Sequence, residues 1–293
     1  MTTLSSAVAS YLVQLEADGR SAHTRAQVAR HARLLSRWLA EHGVPDDVSA
    51  LTPDLLARFL ASPAARLTRD GSPKRTSSVN ALRTSIRCLG RHLHDAGMLA
   101  TNPARLVRRA HCSPPPPKPL SAIEIERLLS AMAAGKGEAA RRDHALFAVM
   151  LGTGVRVSTA VSIRVEDIDL DAGVLNVTTA KGNARGRLFI PRALIGPLRD
   201  HLGERVSGPL FCAAHGGALS TRTIAFRLSL WAKRAGIAGK VSPHRLRHTF
   251  GTLLLARTGD LALTQRAMLH RSIASTTCYT LVSDDRLRAA VGG

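Results

Sequence analysis

His111-Cys112-Ser113-Pro114-Pro115-Pro116-Pro117-Lys118-Pro119 divides this chain. Consecutive prolines lack the N–H donor and fix φ, so the run cannot continue a helix and favours polyproline II. At about 3.1 Å per residue it spans roughly 25–30 Å. A length of 293 residues suits two domains, each able to bury its own core. The expected division is a helical domain over 1–110, a Pro-rich linker over 111–119 and a second domain over 120–293.

Upstream of the linker the pattern is helical. Residues 5–18, 22–42, 52–61 and 76–96 carry apolar residues every three to four positions, with breaks at Gly19, Gly43 to Pro45 and Ser62 to Pro73. Thr52-Pro53 and Thr101-Asn102-Pro103 read as helix starts or turns. In the fourth segment Leu82, Ile86, Leu89 and Leu93 share one side, and Arg83, Arg87 and Arg91 make a basic stripe on another. Such a stripe is often only a solvated face. Like charges at this spacing repel unless something negative lies alongside, so the stripe is read as phosphate-binding, with Lys74 and Arg75 beside it. Arg30, Arg33 and Arg37 repeat the pattern more weakly.

Downstream, Ser121 and Glu124 spell a capping box that opens a helix. Residues 141–151 continue as helix until Gly152-Thr153-Gly154. The one clear β signal follows: Val174 to Thr179 and Arg187 to Ile190, flanking the turn Lys181-Gly182-Asn183-Ala184-Arg185-Gly186. From Thr221 onward the chain reads as helix again, making the whole mainly α.

Charge narrows the partners. The formal net charge is +20 and aromatics are 3% of residues. Self-repulsion of that size calls for a polyanion, nucleic acid or an anionic membrane surface. No run approaches the roughly 18 apolar residues of a membrane span, and the N-terminus lacks a basic start followed by an apolar core. Cys88, Cys112, Cys212 and Cys278 form no CxxC pair, which fits a reducing cytosol.

Cleaving a phosphodiester without metal needs cations on its anionic oxygens, an in-line nucleophile, a base and an acid for the leaving oxygen. Arginine suits the first task, since its planar fork binds two oxygens and stays charged. Arg156 follows a glycine break, Lys181 stands at the hairpin turn, and His244 and Arg247 sit three apart on one helix side. His270 and Tyr279 follow, Tyr279 being one of only two tyrosines. Singly each is weak. His244 and His248 have the spacing of a metal pair, but no Glu stands between them in HExxH fashion and no third ligand is evident, so no metal is expected.

The ordered set is more specific. Thr-Gly-Val-Arg156-Val-Ser, Lys181 in a hairpin, His244-Arg-Leu-Arg247-His248-Thr-Phe, and His270-Arg-Ser-Ile-Ala-Ser-Thr-Thr-Cys-Tyr279 together resemble the tyrosine site-specific recombinase, or phage integrase, family in its compact two-domain, Xer-like form. The resemblance implies a SAM-like helical core-binding domain joined to a mixed α+β catalytic domain with a small antiparallel sheet, clamped round DNA. It implies that Arg156 and Arg247 hold the scissile phosphate, His270 bonds a non-bridging oxygen, and His244 helps deprotonate Tyr279. Lys181 would protonate the leaving 5′-oxygen. The product would be a 3′-phosphotyrosyl link, formed with no cofactor. The implied partners are double-stranded DNA with inverted-repeat sites and a homotetramer on it, in the bacterial cytoplasm at the nucleoid, with no membrane. A C-terminal tail over 281–293 would pack on a neighbouring subunit. The family has an acidic residue where Thr159 stands and a glycine where Leu269 stands. Two other readings share the motifs: a type IB topoisomerase-like enzyme acting on one duplex, and an impaired integrase that only binds DNA.

Overall fold

The computed structural model describes residues 2–112, 118–178, 185–214 and 216–269. The chain divides into two compact units, residues 1–114 and residues 115–293.

The first unit is all helical: α1 (Leu4–Ala17), α2 (Ala22–Glu41), α3 (Pro53–Ala61), the single turn α4 (Pro63–Arg66) and α5 (Thr76–Asp95). Side-chain caps set the starts. Thr3, Ser21 and Thr52 accept N–H bonds from Ser6, Thr24 and Leu55, satisfying donors that a helix leaves orphaned. The expected break over Ser62 to Pro73 holds α4, because Pro63 at its first position starts a turn as readily as it stops one. Leu82, Ile86, Leu89 and Leu93 of α5 enter a core with Leu4, Leu35, Trp38 and Phe59.

The second unit holds α6 (Ala122–Ala133), α7 (Glu138–Thr153), α8 (Val157–Ala160), β1 (Ile168–Asp169), β2 (Val174–Thr178), β3 (Arg185–Phe189), α9 (Ile195–Leu202), α10 (Thr221–Arg234), α11 (Pro243–Thr258) and α12 (Leu261–Ala267). The capping box is present: Ser121 accepts from Glu124 N–H and Glu124 accepts from Ser121 N–H. The sheet is antiparallel in the order β1-β2-β3. Sequence reading misses β1, which is too short to show a period. It also assigns Arg185 and Gly186 to the turn, whereas both pair with β2, Gly186 opposite Val177. Ladder hydrogen bonds outweigh the weak strand preference of glycine. Leu175, Val177 and Leu188 turn into a core shared with Leu128, Phe147, Met150, Ile224 and Leu228.

One charged network lies inside this unit. Asp143 on α7 is fully buried. Its Oδ1 accepts from Arg142 Nη2 at 2.7 Å, and its Oδ2 from Arg227 Nε at 2.5 Å and Trp231 Nε1 at 2.7 Å. Arg142 Nη1 also donates to Cys212 O at 2.9 Å. A buried carboxylate survives only when its lone pairs are filled this way, and here the filling ties α7 to α10 and to the loop before it.

Candidate active site

The site grows from the end of α7. That helix stops at Gly154, which takes φ +64° and has Phe250 against its Cα; an added Cβ would stand 2.2 Å from the ring. A left-handed residue with no room for a side chain must be glycine. The sharp stop buries Val155 and leaves Arg156 in extended backbone at the mouth of α8, with its side chain exposed.

Helix α11 brings the second cluster. Ser242 caps it and Pro243 occupies its first turn. His244, Arg247 and His248 then fall on adjoining positions of one face, as i, i+3 and i+4 require. The imidazoles of His244 and His248 meet edge to face with centroids 4.5 Å apart. Arg247 is buried, and its guanidinium bridges two helix ends: Nη1 donates to Gly154 O at 2.5 Å and Nη2 to Met268 O at 2.7 Å. Those carbonyls close α7 and α12, where the helix dipole is negative and a cation is favoured.

Arg156 reaches the same turn, donating from Nη1 to Leu269 O at 3.3 Å. Two arginines far apart in sequence thus converge on the carbonyls of residues 268 and 269. Leu269 takes φ +50°, the one positive φ outside glycine among the described residues. Left-handed backbone costs a residue with a Cβ about 1–2 kcal/mol. Part of that is offset by packing: the Leu269 side chain lies on the second core and fills the space over Gly186, where an added Cβ would stand 2.6 Å from Leu269 Cδ1. Thr159 is buried in α8, and among the described residues no carboxylate pairs with Arg156. The brace on Arg156 is therefore a backbone carbonyl.

The electrostatics suit a base. Burial, then Arg247 and Arg156, pushes the His244 imidazole below its ordinary pKa. Burial, then His244 and Arg247, does the same to His248. His244 is thus neutral near pH 7, able to accept a proton, beside two permanent cations. Thr249, two residues beyond Arg247, accepts the Leu120 N–H at 2.8 Å, and Arg245 donates to Lys118 O and to Glu124. These bonds seat the start of the second unit on α11.

Arg156, His244 and Arg247 are brought together, while Lys181, His270 and Tyr279 lie outside the described residues, as does the tail over 281–293. On the first unit, Arg87 and Arg91 are exposed on α5, Arg83 is half-buried against Asn80, and Arg75 is exposed at the helix start. Lys74 turns inward instead: its ammonium donates to Ala64 O and Ala65 O, and burial lowers its pKa. The sequence reading misses Asp143, which belongs to no periodic or spaced motif, and gives Thr249 no role of its own although it lies in the run from His244 to Phe250. No group of three potential metal ligands is found among the described residues, and no described helix is long and apolar enough to cross a membrane.

Residues 118–286 match the model of the Phage integrase family. The chain is 32% identical over 308 residues to Tyrosine recombinase XerD of Mycobacterium tuberculosis, covering all of this chain and 98% of that one. It is 30% identical over 282 residues to Tyrosine recombinase XerC of Neisseria meningitidis, covering 94% of this chain and 91% of the other. Its fold is similar to that of XerH site-specific recombinase bound to palindromic difH substrate, with TM-score 0.77 and 20% identity over 96% of this chain and 84% of that one.

Proposed function

The chain belongs to the phage integrase family, and we propose that it cuts and rejoins DNA at specific sites, with Tyr279 as the nucleophile. The observation that carries this reading is the convergence of Arg156 and Arg247 on one turn, beside a neutral His244. Two guanidiniums would clamp the scissile phosphate and stabilise the charge that builds on it in the transition state. A tyrosine with a pKa near 10 is a poor nucleophile at neutral pH. The nearby cations would lower that pKa, and His244 would take the proton. Lys181 would return a proton to the departing 5′-oxygen, and His270 would bond a non-bridging oxygen. The bond energy is kept in the 3′-phosphotyrosyl link, so religation to a partner strand needs no nucleotide.

The assignment of Lys181, His270 and Tyr279 rests on their place in the ordered motif. Arg75, Arg83, Arg87 and Arg91 would hold phosphates of the same duplex from the first unit. Each duplex with an inverted repeat seats two copies, so exchange between two duplexes assembles four. The protein would act in the cytoplasm on nucleoid DNA.

The test is a covalent adduct. Sites selected by the protein from a random duplex library are nicked next to the cleavage position, so that the cut strand diffuses away. The parent chain should accumulate a protein–DNA species resistant to detergent, and Tyr279→Phe should form none at equal DNA affinity. An adduct of undiminished yield in Tyr279→Phe would overturn the assignment.

A further inference from the structure

The segment that follows α5 is strapped back along that helix at two points. At the first, Ala104 is buried where Gly90 has no side chain; a Cβ on Gly90 would stand 2.6 Å from that of Ala104. Asn102 Oδ1 accepts the Ala104 N–H there, at 2.9 Å. At the second, Asn80 Nδ2 donates to Ala110 O at 2.9 Å, and Asn80 Oδ1 accepts the Ala110 N–H at 2.9 Å. The side-chain amide pairs with residue 110 as a second backbone strand would. Asn80 and Gly90 lie about 15 Å apart along α5 at 1.5 Å per residue, within the roughly 20 Å that the six steps from 104 to 110 can reach, the slack being taken up by a turn in which Val107 N–H donates to Ala104 O. The strap therefore runs antiparallel to α5, and Ala110 leaves beside the first turns of the helix.

The chemistry of Asn80 is unusual for its place. Its side chain is only 2% exposed, yet both of its strap bonds go to Ala110, an exposed residue at the threshold of the proline run. A core position that served packing alone would be apolar. We infer that Asn80 is a positioning residue that fixes where the linker begins, holding 105–110 on the first unit so that only the residues between Ala110 and Lys118, whose carbonyl Arg245 holds on the second unit, tether the two units on DNA. This rests on the proposal that both units grip one duplex. A longer tether lowers the effective concentration of the second unit as about the −3/2 power of its length. Adding 105–110 to the tether lowers whole-chain affinity about 2- to 3-fold by that scaling.

Two full-length variants release the clip from opposite sides. Asn80→Ala removes the amide, and Ala110→Pro removes the N–H at an exposed residue without touching the core. Trypsin should cut after Arg105 and Arg108 several-fold faster in both, and after Arg109 in Asn80→Ala alone because Ala110→Pro makes that bond an uncut Arg–Pro, with cutting outside 105–110 unchanged. Half-saturation on a fluorescein-labelled 40-bp duplex should rise about 2- to 3-fold in both, with the slope of log affinity against log salt unchanged in Ala110→Pro, which leaves the Arg83 contact to Asn80 in place and loses no phosphate contact. Three results would overturn the inference: no faster cutting in either variant, faster cutting at unchanged affinity, or a shallower salt slope in Ala110→Pro, which would mean that Arg105 or Arg108 itself holds phosphate. A parent chain that fails to bind the duplex would sink the DNA reading and the tether with it, while the trypsin rates would still decide whether Asn80 holds the strap.

Discussion

Leu269 combines a strained backbone with a useful side chain. Its φ of +50° aims its own carbonyl at Arg156 and the preceding one at Arg247. Its side chain meanwhile fills the space over Gly186. The two effects are of similar size, about 1–2 kcal/mol each. Leu269→Gly should therefore leave stability within about 1 kcal/mol of the parent. Leu269→Ile should lose about 1–3 kcal/mol, because a branch at Cβ suits left-handed backbone least. It should also slow cleavage, since both arginines lose their carbonyl brace. Urea unfolding of the three chains, with single-turnover cleavage, checks the order. Sequence alone flagged Leu269 as a departure from the family pattern. It could not show that leucine keeps the glycine-like turn, because the compensation comes from a glycine on β3, over eighty positions upstream.

Most elements were legible because their signals are local. Caps at Thr52 and Ser121, the glycine stop at 154 and the spacing of Leu82, Ile86, Leu89 and Leu93 each lie within one or two turns. What sequence missed depends on distant partners: β1 exists only as the companion of β2, and Arg185 and Gly186 are strand only because β2 pairs with them. Asp143 is the energetic counterpart. It joins α7 to α10 through bonds from Arg142, Arg227 and Trp231. Asp143→Asn should cost about 3–5 kcal/mol, since it leaves a buried guanidinium uncompensated and turns an acceptor into a donor facing donors. The loss should appear in calorimetry as lower stability of the second unit, with the transition of the first unit unmoved.

At the scale of the molecule, both units share a response to pH. Burial is the largest cause lowering the pKa of His31 in the first unit and of His144, His201 and His248 in the second. The unfolded chain takes up protons at these histidines below about pH 6.5, whereas the folded protein resists doing so. The unfolded state then binds more protons, so stability that is full above about pH 6.5 is lost as pH falls below it. Tm should hold steady from pH 8 to 7 and fall between pH 6.5 and 5, in both units. A Tm that rises over that interval would contradict these burials.

The amino-acid sequence by itself determined the two-unit plan, the helical periods, the basic charge and the ordered set from Arg156 to Tyr279. Each is carried by composition, by spacing within one element, or by linear order. Only tertiary structure decided that Arg156 and Arg247 share one turn, that His244 is neutral, and that Lys74 faces inward while Arg87 and Arg91 do not. These depend on which backbone carbonyls and which charges end up within a few ångströms. Contacts of that kind are set by chain segments that meet only after folding, and no local pattern records them.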